Sequence, residues 1–380
     1  MAKGAYIGVD GKARKIKKGY IGVGGVAHKI KKGYIGVGGV ARPFWTGGEL
    51  AYYGTAETIG IARRELSATS VGNYALFAGG RNNSDSQTRV DSYDSSLTHT
   101  VATALSQKRC YPAGVSIGNY ALFAGGRLNN ANMAYNNVDI YNQSLTHTTT
   151  TLTTQRRNAA GASNGAYAFV CGGMDSRTQL ATVETFNASL TKGTATNLSQ
   201  ARRHFAGTAV GNYAIFAGGG DESYTFYSNV DAYDKSLTKS TPTSLGAGRC
   251  SLVATHVGSY ALFSGGLVSD GEESYTYSKV VEAYNASLTK VTVTGLDRNA
   301  SWMAATTIEG YALVGGGHDG NAQDTVYAYD ESLTRTLPTV LSAVRGHLAA
   351  TTVGSYALFG GGIGTTSSAL SAVVDVYTVS

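Results

Sequence analysis

Three observations predict an all-β chain built as a closed ring of repeated sheets. A phrase typified by Tyr-Ala-Leu-Phe-Ala-Gly-Gly occurs at Tyr74, Tyr120, Tyr167, Tyr213, Tyr260, Tyr311 and Tyr356, with spacings of 46, 47, 46, 47, 51 and 45 residues. A fixed period of this size marks units that cannot bury their own apolar face and must stack on neighbours. A second phrase, Val-Asp-x-Tyr or a variant, follows each copy; its last occurrence, Val374 to Tyr377, ends too close to Ser380 for another strand to follow. The strand it lacks lies at the other end, where Ala51 to Arg63 aligns with Leu97 to Arg109. Closing the last sheet with that segment removes the open edges that invite aggregation. The prediction is a seven-bladed β-propeller over residues 49–380, preceded by a small basic β-hairpin segment over residues 1–48.

Composition agrees with this class. Gly numbers 50 and Tyr 25, against only 4 Pro and 15% charged residues, a turn-rich and strand-prone mixture without long helices. The net charge of +6 is unevenly spread: residues 1–48 carry ten Lys or Arg and a single acid, Asp10, whereas the remainder carries 21 basic and 24 acidic residues. The positive charge therefore belongs to the N-terminal segment. Cys110, Cys171 and Cys250 are too few for a disulfide framework and lack metal-ligand spacing. No run approaches the roughly 20 apolar residues of a membrane helix, and the start MAKGAYIGVD lacks a signal-peptide core, so a soluble protein is expected.

Within the first 48 residues, Tyr6, Tyr20 and Tyr34 recur every 14 positions, each opening a strand-prone run. The runs turn at Asp10-Gly11, Gly24-Gly25 and Gly38-Gly39, dipeptides that supply the positive φ of tight hairpins. Period-two alternation places Val26, His28 and Ile30 on one face and Ala27, Lys29 and Lys31 on the other. So thin a sheet is unstable alone. The reading is an anchor, with Tyr6, Tyr20, Tyr34, Lys15, Lys17, Lys29, Lys31 and Trp45 as its contacts, completed by an acidic or apolar partner; the plain alternative is a solvated basic tail. Nucleic-acid binding is not expected, because no recognised nucleic-acid-binding fold surrounds the basic residues. The span from Tyr6 to Trp45 resembles the YIGVxGVARKIKK-type repeats, ending in an aromatic pair, of structural proteins of tailed bacteriophages and prophages of Gram-positive bacteria. That resemblance implies a virion protein attached through this segment.

Each later repeat reads as a four-stranded antiparallel meander. In the second, Ala113 to Ile117 is the first strand, Gly118-Asn119 a turn, Tyr120 to Ala124 an apolar second strand suited to burial on both faces, Val138 to Tyr141 the third, and a Thr-rich run after Ser144-Leu145-Thr146 the fourth. Ile59 takes the place held elsewhere by Leu105, Leu152, Leu198, Leu245, Leu296 and Leu341. Gly-Gly after an apolar strand, then a Tyr-bearing strand, at this period resembles the Kelch repeat over Leu50 to Ser380. The Trp usual in that family's fourth strand is missing, since the only Trp residues are Trp45 and Trp302.

Two groups are candidate site residues. Arg63, Arg109, Arg156, Arg202, Arg249 and Arg345 stand eleven residues before the repeat Tyr, with Ala300 in the sixth place, near the mouth of the central channel. They are either inter-blade ties to backbone carbonyls or a cationic funnel for an anionic ligand such as an acidic sugar. The second-to-third-strand loops vary most: Gly220 to Asn229 holds Tyr224, Phe226 and Tyr227, Leu267 to Lys279 holds Tyr275 and Tyr277, and Arg127 to Asn137 holds Tyr135. Exposed Tyr suits glycan or protein recognition, although loops also vary without function. Meander topology puts these loops on one face with the Arg ring and the tight turns on the other, with the basic segment expected opposite the loops. No catalytic constellation is expected. The Gly-x-Ser-x-Gly matches at Ser116 and Ser163 precede hairpin turns instead of a strand-to-helix elbow, and neither the His nor the Gly-Gly pairs predict a metal or phosphate site.

These readings lead to a non-enzymatic bacteriophage virion protein of the tail or baseplate, assembled in the host cytoplasm. It needs no cofactor, does not insert into a membrane, contacts other virion proteins through residues 1–48, and binds a host-surface glycan or protein through the loop face, with a homo-oligomer allowed. A ligand-free head or tail decoration protein, or a Kelch-like sugar-modifying enzyme, are the alternatives.

Overall fold

The computed structural model describes residues 48–129, 133–271, 274–366 and 368–379 in full, and before residue 48 the backbone of six strands. Contacts divide the chain into two units, Met1–Ala51 with Thr378–Ser380, and Tyr52–Tyr377. In the first unit, Tyr6–Val9 pairs with Lys12–Lys15, Gly19–Val23 with Val26–Ile30, and Lys32–Val37 with Val40–Thr46, giving three antiparallel hairpins. Their register sets Tyr6 opposite Lys15 and Tyr20 opposite Lys29, while Tyr34 faces Pro43 beside a bulge at Gly33. Lys17, Lys31 and the three turn dipeptides lie outside the described residues.

In the second unit, seven four-stranded antiparallel sheets form the blades of a β-propeller. Their innermost strands are Ser67–Val71, Ala113–Ile117, Ala160–Ser163, Ala206–Val210, Val253–Val257, Ala304–Ile308 and Ala349–Val353 for blades 1 to 7. Blade 7 is completed by Leu50–Ala56, which pairs with Val374–Val379 as its outermost strand. Burial follows position. Innermost strands such as Ala113–Ile117 alternate buried and half-buried residues, while second strands such as Tyr120–Ala124 are buried at four consecutive positions. A strand covered on both faces by neighbouring blades has no solvent side, so its sequence cannot alternate.

The repeated phrases explain how blades join. Apolar clusters cross the boundaries: Leu122 and Ile140 of blade 2 pack with Val170 and Phe186 of blade 3, and Leu358 and Val376 of blade 7 with Phe77 and Tyr93 of blade 1. The third-strand Tyr is buried, and its hydroxyl donates to a carbonyl of the preceding blade: Tyr141 to Thr103 at 2.7 Å, Tyr233 to Thr196 at 2.8 Å, and Tyr93 to Glu57 at 2.7 Å, across the ring closure. Blade 3 has Phe186 there. The second Gly of each pair donates its N–H to the residue that opens the next blade, as Gly80 does to Arg109 O at 3.0 Å and Gly362 to Arg63 O at 2.9 Å. A Cβ on Gly125, whose φ is +65°, would stand 2.4 Å from Arg156 O, so the close approach requires Gly. In the Ser-Leu-Thr turns the leading Asp or Asn accepts from two backbone N–H groups, as Asp94 Oδ1 does from Ser96 and Thr98 at 2.8 and 2.9 Å. Those Asn positions are Asx-turn residues.

Candidate functional site

The six-membered Arg ring is wholly buried. Arg63 pairs with Asp91 at 2.6 Å, Arg156 with Glu184 at 2.7 Å, Arg202 with Asp231 at 2.8 Å and Arg249 with Glu282 at 2.6 Å, and Arg109 and Arg345 make the same pairs with Asp139 and Asp375. Each partner is the acidic residue of the third-strand phrase. Further guanidinium nitrogens of Arg63, Arg156, Arg249 and Arg345 reach a carbonyl of the Gly pair, as from Arg63 to Gly79 O at 2.8 Å and from Arg249 to Gly265 O at 2.7 Å. These charges are spent inside the blades, so of the two readings the six Arg are structural ties and not a cationic funnel. His99 and His147 belong to the same clusters, at 2.8 and 2.7 Å from Asp91 and Asp139. Blade 6 departs in a coupled way: Ala300 replaces the Arg and Tyr327 the acid, and both are buried in one apolar cluster.

The residues that reach the channel mouth stand one and two places further along. Glu65, Tyr111, Asn158, His204, Ser251, Trp302 and His347 each precede the repeat Tyr by nine residues. All seven adopt positive φ, between 49° and 59°. They are linked around the axis by backbone bonds: Glu65 N donates to His347 O at 3.0 Å, Tyr111 N to Glu65 O at 2.8 Å, His204 N to Asn158 O at 3.1 Å, Ser251 N to His204 O at 2.8 Å and His347 N to Trp302 O at 2.9 Å. A left-handed backbone costs a non-Gly residue about 1–2 kcal/mol. Gly would relieve it, yet none of the seven is Gly, so a side chain is retained at every place, as it is at Leu97, Leu145 and their counterparts in the opposite turns.

Near-identical backbone thus presents six kinds of side chain to one space, His occurring twice. Trp302 stacks on His347 with centroids 4.8 Å apart, and the Tyr111 hydroxyl lies 3.2 Å from His347 Nδ1. Burial pushes the His204 imidazole down to about 3 and His347 to about 4, so both are neutral at pH 7. Burial would raise the Glu65 carboxyl, but hydrogen bonds and charge from Arg81, with His347 and Arg64, outweigh it and hold it below its ordinary value. Arg81 grips Glu65 at two points, 2.6 and 2.7 Å.

Above this ring stands a second set, at ten residues before the Tyr and directly after the Gly pair, bridged as Arg64 with Arg81, Cys110 with Arg127, Arg157 with Met174, Arg203 with Gly220, Cys250 with Leu267, Ser301 with His318 and Gly346 with Ile363. Its cations, Arg64, Arg81, Arg127, Arg157 and Arg203, lie on blades 1 to 4, whereas blades 5 to 7 contribute Cys250, Leu267, Ser301, His318, Gly346 and Ile363. Between them opens a cavity of about 270 Å³, lined among others by Tyr111, Arg203, His204, Trp302 and His347. Its remaining wall comes from the loops: Glu222, Tyr224 and Phe226 of blade 4 and Tyr275 of blade 5.

The structure therefore brings together some of the loop residues expected from sequence. Tyr224 and Tyr275 stack at 6.1 Å, Phe226 lies beside Tyr224 at 6.5 Å, and Tyr275 meets Tyr277 edge-on at 5.9 Å. The blade 5 loop is a small hairpin, Leu267–Ser269 with Tyr275–Tyr277, which holds these rings in place. Tyr227 turns aside to donate to Asp221 at 3.1 Å, and Tyr135 opens the third strand of blade 2, opposite Arg156 and away from the cluster. Sequence reasoning passed over the nine-residue and ten-residue positions. Their signal was present: they change chemistry from blade to blade inside an otherwise constant phrase. Among the described residues no group of three or more His, Cys, Asp or Glu could hold a metal ion.

The class defined by this architecture is the seven-bladed β-propeller, with a mixed cationic and aromatic cavity at one channel mouth. Among solved structures the chain is similar to one titled "Structure of YjhT", with a TM-score of 0.60 and 13% identity, covering 75% of this chain and 99% of that one. At that identity the likeness shows the fold alone. No family model matches the sequence, and no curated protein matches it.

Proposed function

We propose that this protein is a non-enzymatic binding propeller of a bacteriophage tail or baseplate, joined to other virion proteins through residues 1–48 and holding a host-surface glycan at the channel mouth. The observation that carries the binding reading is the cavity walled by Tyr224, Tyr275 and Trp302, with Arg203, His204 and Tyr111 as polar partners. Flat aromatic faces beside a few fixed polar groups are what a concave saccharide site requires. The virion placement rests on the YIGV-type repeats, whose hairpins present the basic residues in a regular register. Kinship with the Kelch repeat rests on the Gly-Gly and Tyr phrases. Binding is favoured over turnover because Glu65, the buried carboxylate of the mouth, is committed to Arg81.

The test is adsorption of the purified protein to host cell walls. Tyr224→Ala with Tyr275→Ala is expected to reduce adsorption by about tenfold or more, as loss of two stacked aromatic contacts would, while the unfolding midpoint holds. Unchanged adsorption of the folded double variant refutes the reading.

A further inference from the structure

We propose that Arg127, Arg157 and Arg203 form an anion subsite at the edge of this cavity, taking the carboxylate or phosphate of an acidic saccharide, and that Glu222 occupies it when no ligand is bound. The proposal rests on the glycan-binding reading and specifies the ligand's charge. These three cations come from consecutive blades, and none has a close carboxylate partner. Arg127 stands 3.9 Å from Glu65, Arg157 3.8 Å from Glu222 and Arg203 3.5 Å from Glu222. Their other contacts are weak: Arg157 Nη2 reaches Met174 Sδ at 3.4 Å, Arg203 Nη2 reaches Asp221 O at 3.5 Å, and Arg127 lies over the Tyr111 ring at 5.6 Å. Arg157 is only 5% exposed. The contrast with Arg81, held by two short bonds to Glu65, is plain.

Holding a guanidinium as buried as Arg157, beside the part-exposed Arg127 and Arg203, with no carboxylate at hydrogen-bonding distance is costly, and a bidentate anion is what offsets that cost. The groups also crowd one another: burial, then the charges of Arg127 and Arg203, push the Arg157 guanidinium below its ordinary value. Glu222 is a poor permanent partner. Its side chain is 53% exposed, and one oxygen, Oε1, is shared between Arg157 and Arg203 at distances too long for hydrogen bonds. It sits on the same loop as Tyr224, so a ligand carboxylate displacing Glu222 would bring its sugar ring against Tyr224 and Tyr275. An inorganic ion would leave those rings unused. A uronic acid or a sugar phosphate uses both walls.

The test is calorimetric titration of the full chain with glucuronate, glucose 1-phosphate and glucose, on wild type, Glu222→Gln and Arg203→Gln, with circular dichroism to confirm folding. An acidic probe is expected to bind about tenfold or more tightly than glucose, with the advantage shrinking as salt is added. Glu222→Gln is expected to strengthen that binding several-fold and Arg203→Gln to weaken it about tenfold or more, with glucose indifferent to both; Arg127→Gln replaces Arg203→Gln if the latter does not fold. Preference for glucuronate over glucose 1-phosphate, or the reverse, identifies the anionic group. Equal binding of glucose, weakening by Glu222→Gln, or no binding of either acid at millimolar concentration overturns the subsite. If the acids fail while wall adsorption still depends on Tyr224, the subsite falls and the glycan reading stands; if adsorption is indifferent to Tyr224, that reading falls first.

Discussion

Removing Arg202 tests whether the Arg ring is structural, and blade 6 supplies the control. Arg202 is fully buried, donates to Asp231 Oδ2 at 2.8 Å and Asn229 O at 2.8 Å, and lies over the Phe205 ring at 5.0 Å. Arg202→Ala leaves Asp231 buried with Ser199 and, at 3.1 Å, Lys239. Stripping one partner from a buried pair costs about 3–5 kcal/mol. Because Lys239 remains, the lower end applies, about 3 kcal/mol. In a domain of this length each kcal/mol moves the melting temperature by about 2 °C, so a fall of about 6 °C is expected. Asp231→Tyr in the same chain removes the stranded charge and copies the Ala300 and Tyr327 arrangement of blade 6. There Arg335 lies over the Tyr327 ring at 5.7 Å, and Lys239 occupies the matching place in blade 4. The double variant is expected within about 1–1.5 kcal/mol of wild type, as for buried pairs replaced by apolar groups. Urea and thermal unfolding followed by circular dichroism read both. A single variant costing under about 1 kcal/mol, or a double variant as unstable as the sum of its singles, refutes the argument.

Two further outcomes follow from the fold. Gly125→Ala puts a Cβ against Arg156 O at a backbone of φ +65°, and is expected to cost about 3 kcal/mol or more, measured as a lower unfolding midpoint, whereas Gly165→Ala, where the added atom meets nothing within 4 Å, costs only the backbone strain of about 1–2 kcal/mol. Acidification destabilises the protein: His204 and His347 titrate at about 3 and 4 when folded against an ordinary 6.5, so below pH 6.5 the unfolded chain takes up protons that the folded one refuses. The urea midpoint is expected to be flat above pH 7 and to fall from about pH 6.5 toward pH 4, with His204→Gln reducing the slope; a midpoint that rises on acidification to pH 5 contradicts the assignment.

Much of the architecture was legible because each repeat carries its own signals. The blade count follows from Tyr74 to Tyr356, the double burial of second strands from unbroken runs such as Ala121 to Ala124, and the ring closure from the matching of Ile59 with the six Leu. The site was less legible. Tyr224, Phe226 and Tyr275 stood out as aromatics in long loops, but nothing local distinguished Tyr227, which bonds within its own loop, from its neighbours. The Arg ring stayed open between two readings for a related reason: regular spacing is shared by scaffold and function, and the acids that neutralise these cations lie 28 to 33 residues further on.

By itself, then, the sequence determines that this is a closed ring of seven sheets with a separate basic segment before it, because period, strand pattern and turn chemistry are local properties repeated seven times. The tertiary structure alone decides where charge and aromatic surface are available. Glu65, Tyr111, His204, Trp302 and His347 are spread over most of the chain, and only closure of the ring brings them to one mouth. Likewise only packing decides that Arg202 is neutralised inside a blade while Arg203, the next residue, lines the cavity with Glu222 3.5 Å away.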